Sequence, residues 1–467
     1  MELPFKEIGD WALANKESVA VILALLTVLI VFKNSIVEAL KKAASPEKAE
    51  EAKIVSALTG VYKTRFPGPR ENTRYIRGQW ESALAALRRK LLEAGQSPEI
   101  AAALEELKKG NPLPGETVFR GALEQERDGD SPGRTRAGET ACNLGALALL
   151  RDTSSAIEAY RAATGFDPGN CRAWNMLGRL QRLTDDAGGA RRSLERALQT
   201  GQSKNDTASI AFAYGSLGEI CLAQGDLDGS REFHVKALDL DQKSGNMEGL
   251  ALNYASLGAI CRIEGDLERA EELFDKTLDL DQRLGNREGM ADARANLGDI
   301  CLARSEMDKA EEHHRQALAI NRELGRKAGT ADCYASLGAL RLAKEDWTEA
   351  EDYQRQALAI NQELGRKAGT ADCYANLGNF FSARGETGKA GDFYEKALAL
   401  DRELGRREGM ANVHANLGIL HDKNGEKDKA RRAWEQSEKY YLEIGAEKMA
   451  EEVRGWIDSL DDPSIAE

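Results

Sequence analysis

The dipeptide Leu-Gly recurs with its glycine at Gly178, Gly218, Gly258, Gly298, Gly338, Gly378 and Gly418, 40 residues apart each time. An earlier copy at Gly145 precedes Gly178 by 33 residues. Fixed spacing of this kind is the mark of a repeat architecture, in which neighbouring units bury one continuous core between them. Segments 325–338 (GRKAGTADCYASLG) and 365–378 (GRKAGTADCYANLG) differ at a single position.

Each unit reads as two helices. In the segment 289–325, the first helix runs to about Arg304. A turn follows where other units carry Gly225, Gly265, Gly385 or Gly425, and glycine ends a helix there without steric cost. The second helix carries Ala310, Ala317 and Leu318 and ends at Gly325, which corresponds to Gly245, Gly285, Gly365 and Gly405. Helices approach closely only where side chains are small. Gly298, Ala310 and Ala317 are the expected contact points, with Leu297, Leu318 and Ile320 filling the space beside them. Ala, Leu, Glu, Lys and Arg dominate the composition, and all are good helix formers.

Leu-Gly, then Ala twelve residues on, then Ala seven further, resembles the tetratricopeptide repeat. The segments CRAWNMLGRLQRLTDDAGGARRSLERAL (171–198) and FDPGN (166–170) carry that resemblance most closely. The 40-residue units are longer than the usual 34 of that family and look like those of Pins-type adaptors and, more distantly, of kinesin light chain. The short G-protein-binding motifs of Pins-type adaptors are absent, so their G-protein role is not implied. The resemblance covers about two thirds of the chain and implies a right-handed superhelix that binds other proteins. The expected fold is therefore all-α: a right-handed superhelical tetratricopeptide solenoid of eight helix pairs counted on their Leu-Gly glycines, behind an N-terminal single membrane helix.

In such a superhelix the first helices line the concave face. Positions spaced 4, 3 and 4 apart form one stripe. It runs through Phe212 and Ser216, then Leu252 and Ser256, then Asp292, Asn296 and Asp299. It continues through Asp332 and Ser336, Asp372, Asn376 and Asn379, and finally Asn412 and Asn416. Small polar residues here suit a groove that grips an extended peptide, because an amide side chain both donates and accepts. The resemblance implies the same use for Asn296, Asn376 and Asn416. The change from Phe212 and Leu252 to Asp292, Asp332 and Asp372 suits a ligand with an apolar end and a basic end. The structural reading is that Asn and Asp solvate the face or help the helices stack.

Segment 18–32 (SVAVILALLTVLIVF) is apolar on every side. Fifteen residues span about 22 Å as a helix, and extension to Val37 gives a workable bilayer crossing. Residues 1–17 lack the positive start of a secretory signal. Lys33, Lys41 and Lys42 follow the segment, so the rule that positive flanks stay inside places the repeats in the cytoplasm. The expected localisation is a single-pass membrane protein anchored through residues 18–37. Seven cysteines without CxxC spacing recur with the repeat and read as buried free thiols of a reducing compartment.

Between anchor and repeats, 46–63 and 79–109 read as helices separated by Pro67, Gly68 and Pro69. A basic cluster from Lys63 to Lys90 interleaves with Phe66, Tyr75 and Trp80; it reads either as a contact for anionic lipid or an acidic partner, or as a solvated face. The expected division is an anchor at 1–44, a juxtamembrane helical region at 45–137, the repeats at 138–445 and a capping helix with tail at 446–467. Met449, Val453, Trp456, Ile457 and Leu460 form the apolar face of that cap.

Formal net charge is −13, which offers no basic footprint for nucleic acid. Adjacent His313 and His314 point to different helix faces, and His414 and His421 have no third ligand, so no metal is expected. No nucleotide-binding or hydrolase motif stands in a suitable context, so neither a cofactor nor enzymatic activity is expected. The expected function is a membrane-tethered scaffold that binds a peptide or partner protein in its groove; the alternative is a sensing or regulatory subunit of a signalling system.

Overall fold

The computed structural model describes residues 46–65, 73–93, 97–127 and 131–460. The predicted anchor at 18–37 lies outside the described residues, and none of the described helices is long and apolar enough to cross a membrane. Among the described residues there are 21 helices and no strand, an all-α helical repeat solenoid. The chain divides into two compact units at Asn205 and Asp206.

The first unit holds α1 (Pro46–Arg65), α2 (Thr73–Glu93), α3 (Pro98–Lys108), α4 (Leu113–Glu126), α5 (Ser131–Ala148), α6 (Thr153–Phe166), α7 (Cys171–Leu183) and α8 (Ala187–Lys204). The helix expected over 79–109 is two helices, because Pro98 opens a new one after Ser97. Helices α5/α6 and α7/α8 are the first two repeats. They share one core with α1 to α4: Trp80, Leu84, Leu87 and Phe119 bury against Leu147, Tyr160 and Leu180. Trp80 Nε1 donates to the Ala146 carbonyl at 3.0 Å, and the Arg179 guanidinium donates to Tyr62 Oη. The described cations of the basic cluster have internal partners, Arg88 with Glu51 at 3.2 Å and Lys90 with Glu126 at 3.6 Å.

The second unit stacks six helix pairs and a last single helix. The first helices are α9 (Thr207–Ala223), α11 (Met247–Glu264), α13 (Arg287–Ala303), α15 (Lys327–Ala343), α17 (Lys367–Ala383) and α19 (Arg407–Lys423). The second helices are α10 (Leu227–Ser244), α12 (Leu267–Leu284), α14 (Met307–Glu323), α16 (Trp347–Glu363), α18 (Thr387–Leu404) and α20 (Lys427–Glu443); α21 (Glu447–Ser459) follows. Ala310 and Ala317 are wholly buried beside Leu297 and Leu318. All seven cysteines are buried and free.

Turns within the pairs take the left-handed conformation at Gly225, Gly265, Gly385 and Gly425. Ser305 (φ 61°) and Glu345 (φ 59°) adopt it without glycine, a strain that the flanking helices hold in place. The cap differs in one residue from expectation. Val453 and Ile457 are buried and Trp456 packs on Trp434, whereas Met449 is 42% exposed and lies off the apolar face.

Candidate functional site

First helices of successive repeats touch one another, α9 with α11, α13 with α15, α15 with α17, and α17 with α19. They therefore form one face within the second unit, and the predicted stripe runs along it. Asn296, Asn376 and Asn416 are half-buried there, as are Ser216, Leu252 and Ser336. Asn296 donates to the Asp292 carbonyl at 2.8 Å, which leaves its own oxygen available. Asn376 and Asn416 make no side-chain hydrogen bond among the described residues.

Other predicted groove residues are already engaged. Phe212 is buried. Ser256 donates to Glu219 at 3.0 Å. Asn379 accepts from the Tyr394 hydroxyl at 2.7 Å, and Asn412 accepts from the Tyr441 hydroxyl at 2.6 Å.

The aspartates are engaged most systematically. Arg326 reaches Asp292 at 2.9 Å, Arg366 reaches Asp332 at 2.9 Å, and Arg406 reaches Asp372 at 2.9 Å. Each arginine opens the first helix of the next repeat and stands 34 residues after its aspartate. The same guanidinium also donates at 3.0 Å to Asn321, Asn361 or Asp401 in the second helix just before it. Earlier repeats carry Asn246 and Asn286 at the arginine position, and these donate to Asp241 and Asp281. There the aspartate position is Phe212 or Leu252. The gradient from apolar to acidic thus follows the identity of the next repeat's opening residue. Its charge is balanced inside the protein, so it does not call for a basic ligand end.

A second pattern joins the two helices of a pair. Every Leu-Gly glycine from Gly218 onward lies against the side chain 16 residues later: His234, Phe274, His314, Gln354, Tyr394 and Trp434. Close approach thus serves a bulky side chain across from the glycine, as well as the small alanines. The residue after the glycine reaches the same side chain from the groove. His234 Nε2 lies 3.8 Å from Glu219, and His314 Nε2 lies 3.5 Å from Asp299. Apolar Phe274 and Trp434 are matched with Ala259 and Ile419.

The pair Asp299 and His314 is held uncharged by its surroundings at mildly acidic pH. Desolvation in the recess between helices pushes the Asp299 carboxyl up to about 6; Arg262 opposes this and Asp332 adds to it. Burial, with His313 as a like-charged neighbour, holds His314 down at about 4. The two make opposite contributions to stability. Between about 4 and its ordinary 6.5, His314 is protonated only when unfolded, so its contribution rises with pH. Between 3.8 and about 6, Asp299 is protonated only when folded, so its contribution falls as pH rises. Relative to the parent, Asp299→Asn should therefore gain a stability that climbs from pH 4 to 6.5, with an amplitude on the order of 3 kcal/mol for the buried imidazole. His314→Phe, which copies Phe274, should show the falling slope instead. Urea midpoints across that pH range check both; two variants that track the parent profile would refute the assignment.

Arg326, Arg366 and Arg406, and Gln354 beneath the groove, went unnoticed in the sequence reading. The signal for the arginines was present: Arg appears 34 residues after each stripe Asp and nowhere else in that register. Among the described residues no group of His, Cys, Asp and Glu is arranged to hold a metal.

The family model described as "MalT-like TPR region" matches residues 178–368, and the one described as "Tetratricopeptide repeat" matches residues 369–443. No curated protein matches the chain. Among solved structures, the apo form of RapI is similar, with 17% identity over 59% of this chain and 99% of its own, at a TM-score of 0.52. A signal transduction ATPase with numerous domains, with a tetratricopeptide repeat sensor, PH0952 from Pyrococcus horikoshii, is similar with 14% identity over 90% of this chain and 67% of its own, also at 0.52. These likenesses are of fold. With repeat profiles over 178–443 and helix pairs throughout that span, the chain is a tetratricopeptide repeat protein.

Proposed function

We propose that the second unit is a scaffold, without enzymatic activity, that binds a peptide or partner protein along the face of its first helices and is tethered to a membrane through residues 18–37. Repeats of this type generally mediate protein–protein interaction. The observation that carries the reading is the set of half-buried amides at Asn296, Asn376 and Asn416, which keep hydrogen-bonding capacity unused inside the chain. A half-buried amide gains when a ligand supplies its partner, and an extended peptide presents donors and acceptors in alternation. The 40-residue units keep the resemblance to Pins-type adaptors as a guide to where a peptide lies. The tether rests on the apolar run at 18–32 and the lysines that follow it.

One experiment tests both halves. The full chain, a form lacking residues 1–44, and the triple variant Asn296→Ala, Asn376→Ala, Asn416→Ala are expressed, fractionated and used to capture partners. The full chain should sediment with membranes and the truncated form should not. The triple variant should keep its helix content, because Ala is the better helix former, and lose most of its partner. Three side-chain hydrogen bonds at about 1 kcal/mol each predict a loss of about a hundredfold in affinity. Full chain soluble without detergent refutes the tether. Equal partner recovery by the triple variant and the parent refutes the groove.

A further inference from the structure

The side chain across from each Leu-Gly glycine has a groove-side match in five of the six pairs of the second unit, and the exception is Gln354. His234 faces Glu219, His314 faces Asp299 and Tyr394 donates to Asn379, while Phe274 and Trp434 are apolar and face Ala259 and Ile419. Gln354 is polar and faces Ala339. It is 2% exposed. Its Nε2 donates to the Ala335 carbonyl at 2.8 Å, which sets the orientation of the amide, since the flipped form would place two oxygens together. Its Oε1 is buried and no donor within the chain reaches it. A buried acceptor left unmatched is costly, so a group that supplies the donor is held there.

That side chain lines a recess of about 50 Å³ bounded by Gly338, Ala339, Gln354, Asn376, Asn379 and Phe380. A water molecule takes up roughly 30 Å³ in the liquid, so the recess holds a group of only a few heavy atoms. Its polar lining is made of neutral amides. Gln354 Oε1 needs an N–H. The Asn379 oxygen is taken by Tyr394, so its Nδ2 is the free donor. No carboxylate lines the recess to balance an ammonium, and a carboxylate entering it would meet Oε1 with like polarity.

We infer that this recess is a carboxamide subsite of the groove, in which Gln354 Oε1 accepts an amide N–H of the ligand and the Asn376 and Asn379 side chains meet its carbonyl. The inference rests on the groove reading and deepens it. The carboxamide comes either from an Asn or Gln side chain or from the backbone of an extended peptide, and two small amides separate these sources.

The test follows the Gln354 side-chain NH₂ signal by NMR in the full chain, assigned by its loss in Gln354→Met. Propanamide serves as the side-chain probe, N-methylacetamide as the backbone probe and propanoate as the control. The signal should shift saturably with an amide and not with propanoate; the stronger of the two amides identifies the source. Ala339→Asn supplies Gln354 with the match that Tyr394 finds in Asn379, and it fills the recess. That variant keeps the glutamine and should respond at least about tenfold more weakly. The inference is overturned if neither amide moves the signal, if propanoate moves it equally, or if Ala339→Asn responds as the parent does. A silent Gln354 alongside a triple asparagine variant that loses its partner would overturn the subsite alone. Amide binding at Gln354 with undiminished partner capture by the triple variant would overturn the groove reading alone.

Discussion

Gly378→Ala is expected to lower the stability of the second unit by about 3 kcal/mol, although alanine is the stronger helix former. The added methyl would stand 2.5 Å from Tyr394 Cε1 and 2.6 Å from Cδ1. Tyr394 is 1% exposed, stacked into the core with Phe381 and Leu398. Its hydroxyl is held by Asn379 at 2.7 Å, so the ring cannot swing aside without giving up that bond. A rigid, tightly packed neighbour turns a single methyl into a displacement of two helices. For a domain of this size the melting temperature should fall by about 6–12 °C. In a Tyr394→Ala background the same glycine change should cost nothing or stabilise, giving a coupling of about 3 kcal/mol in a double-mutant cycle. A parent-like melting temperature for Gly378→Ala would show that the helices are not in contact through this glycine.

Deleting residues 446–467 should have a comparable effect by a different route. Helix α21 covers the open end of the last pair: Val453 and Ile457 bury against Ala411, Trp434 and Tyr441, and the rings of Trp434 and Trp456 lie 5.8 Å apart. Without it, two large aromatic side chains face water, and each repeat is stabilised only through its neighbours. Burial of Val453 and Ile457 contributes roughly 1.5–3 kcal/mol each before the entropy of ordering the helix is subtracted. The shortened protein should melt about 5–10 °C lower and aggregate as it does so, read by circular dichroism and light scattering together. Val453→Asp in the full chain should reproduce the drop, because it places an unpaired charge against the same apolar surface. A truncated chain with unchanged melting and solubility would show that α21 is dispensable.

How much of this was legible beforehand differs between elements. The pairing of helices, their turns and the burial of Ala310, Ala317 and Leu318 follow from a strict 40-residue register. Helical phase alone places those residues on one side, and glycine alone marks most of the turns. Ser305 and Glu345 were harder, since their left-handed backbone is imposed by the helices on either side and not by the residue itself.

The candidate face was legible in its position but not in its chemistry. A stripe at 4 and 3 residue steps identifies which side chains share a helix face. It does not say what meets them from the next repeat. Asp292, Asp332 and Asp372 read as a surface waiting for a basic ligand, until the stacking of repeats brings Arg326, Arg366 and Arg406 against them. The stripe also omits Gln354, because that residue belongs to the second helix and enters the groove only through the gap above Gly338 and Ala339.

By itself, then, the sequence determined the repeat, its length, its all-α character and the small residues that let two helices meet. These are local or periodic properties, carried by helix propensity and by the phase of apolar and small side chains. Tertiary structure alone decided which polar groups are spent inside the protein and which remain for a partner. It also decided that Trp80 and the helices before the repeats share a core with Leu147 and Leu180. The reason is the same in both cases: contacts between residues 34 or more apart depend on how one helix pair is rotated against the next, and no local preference records that angle.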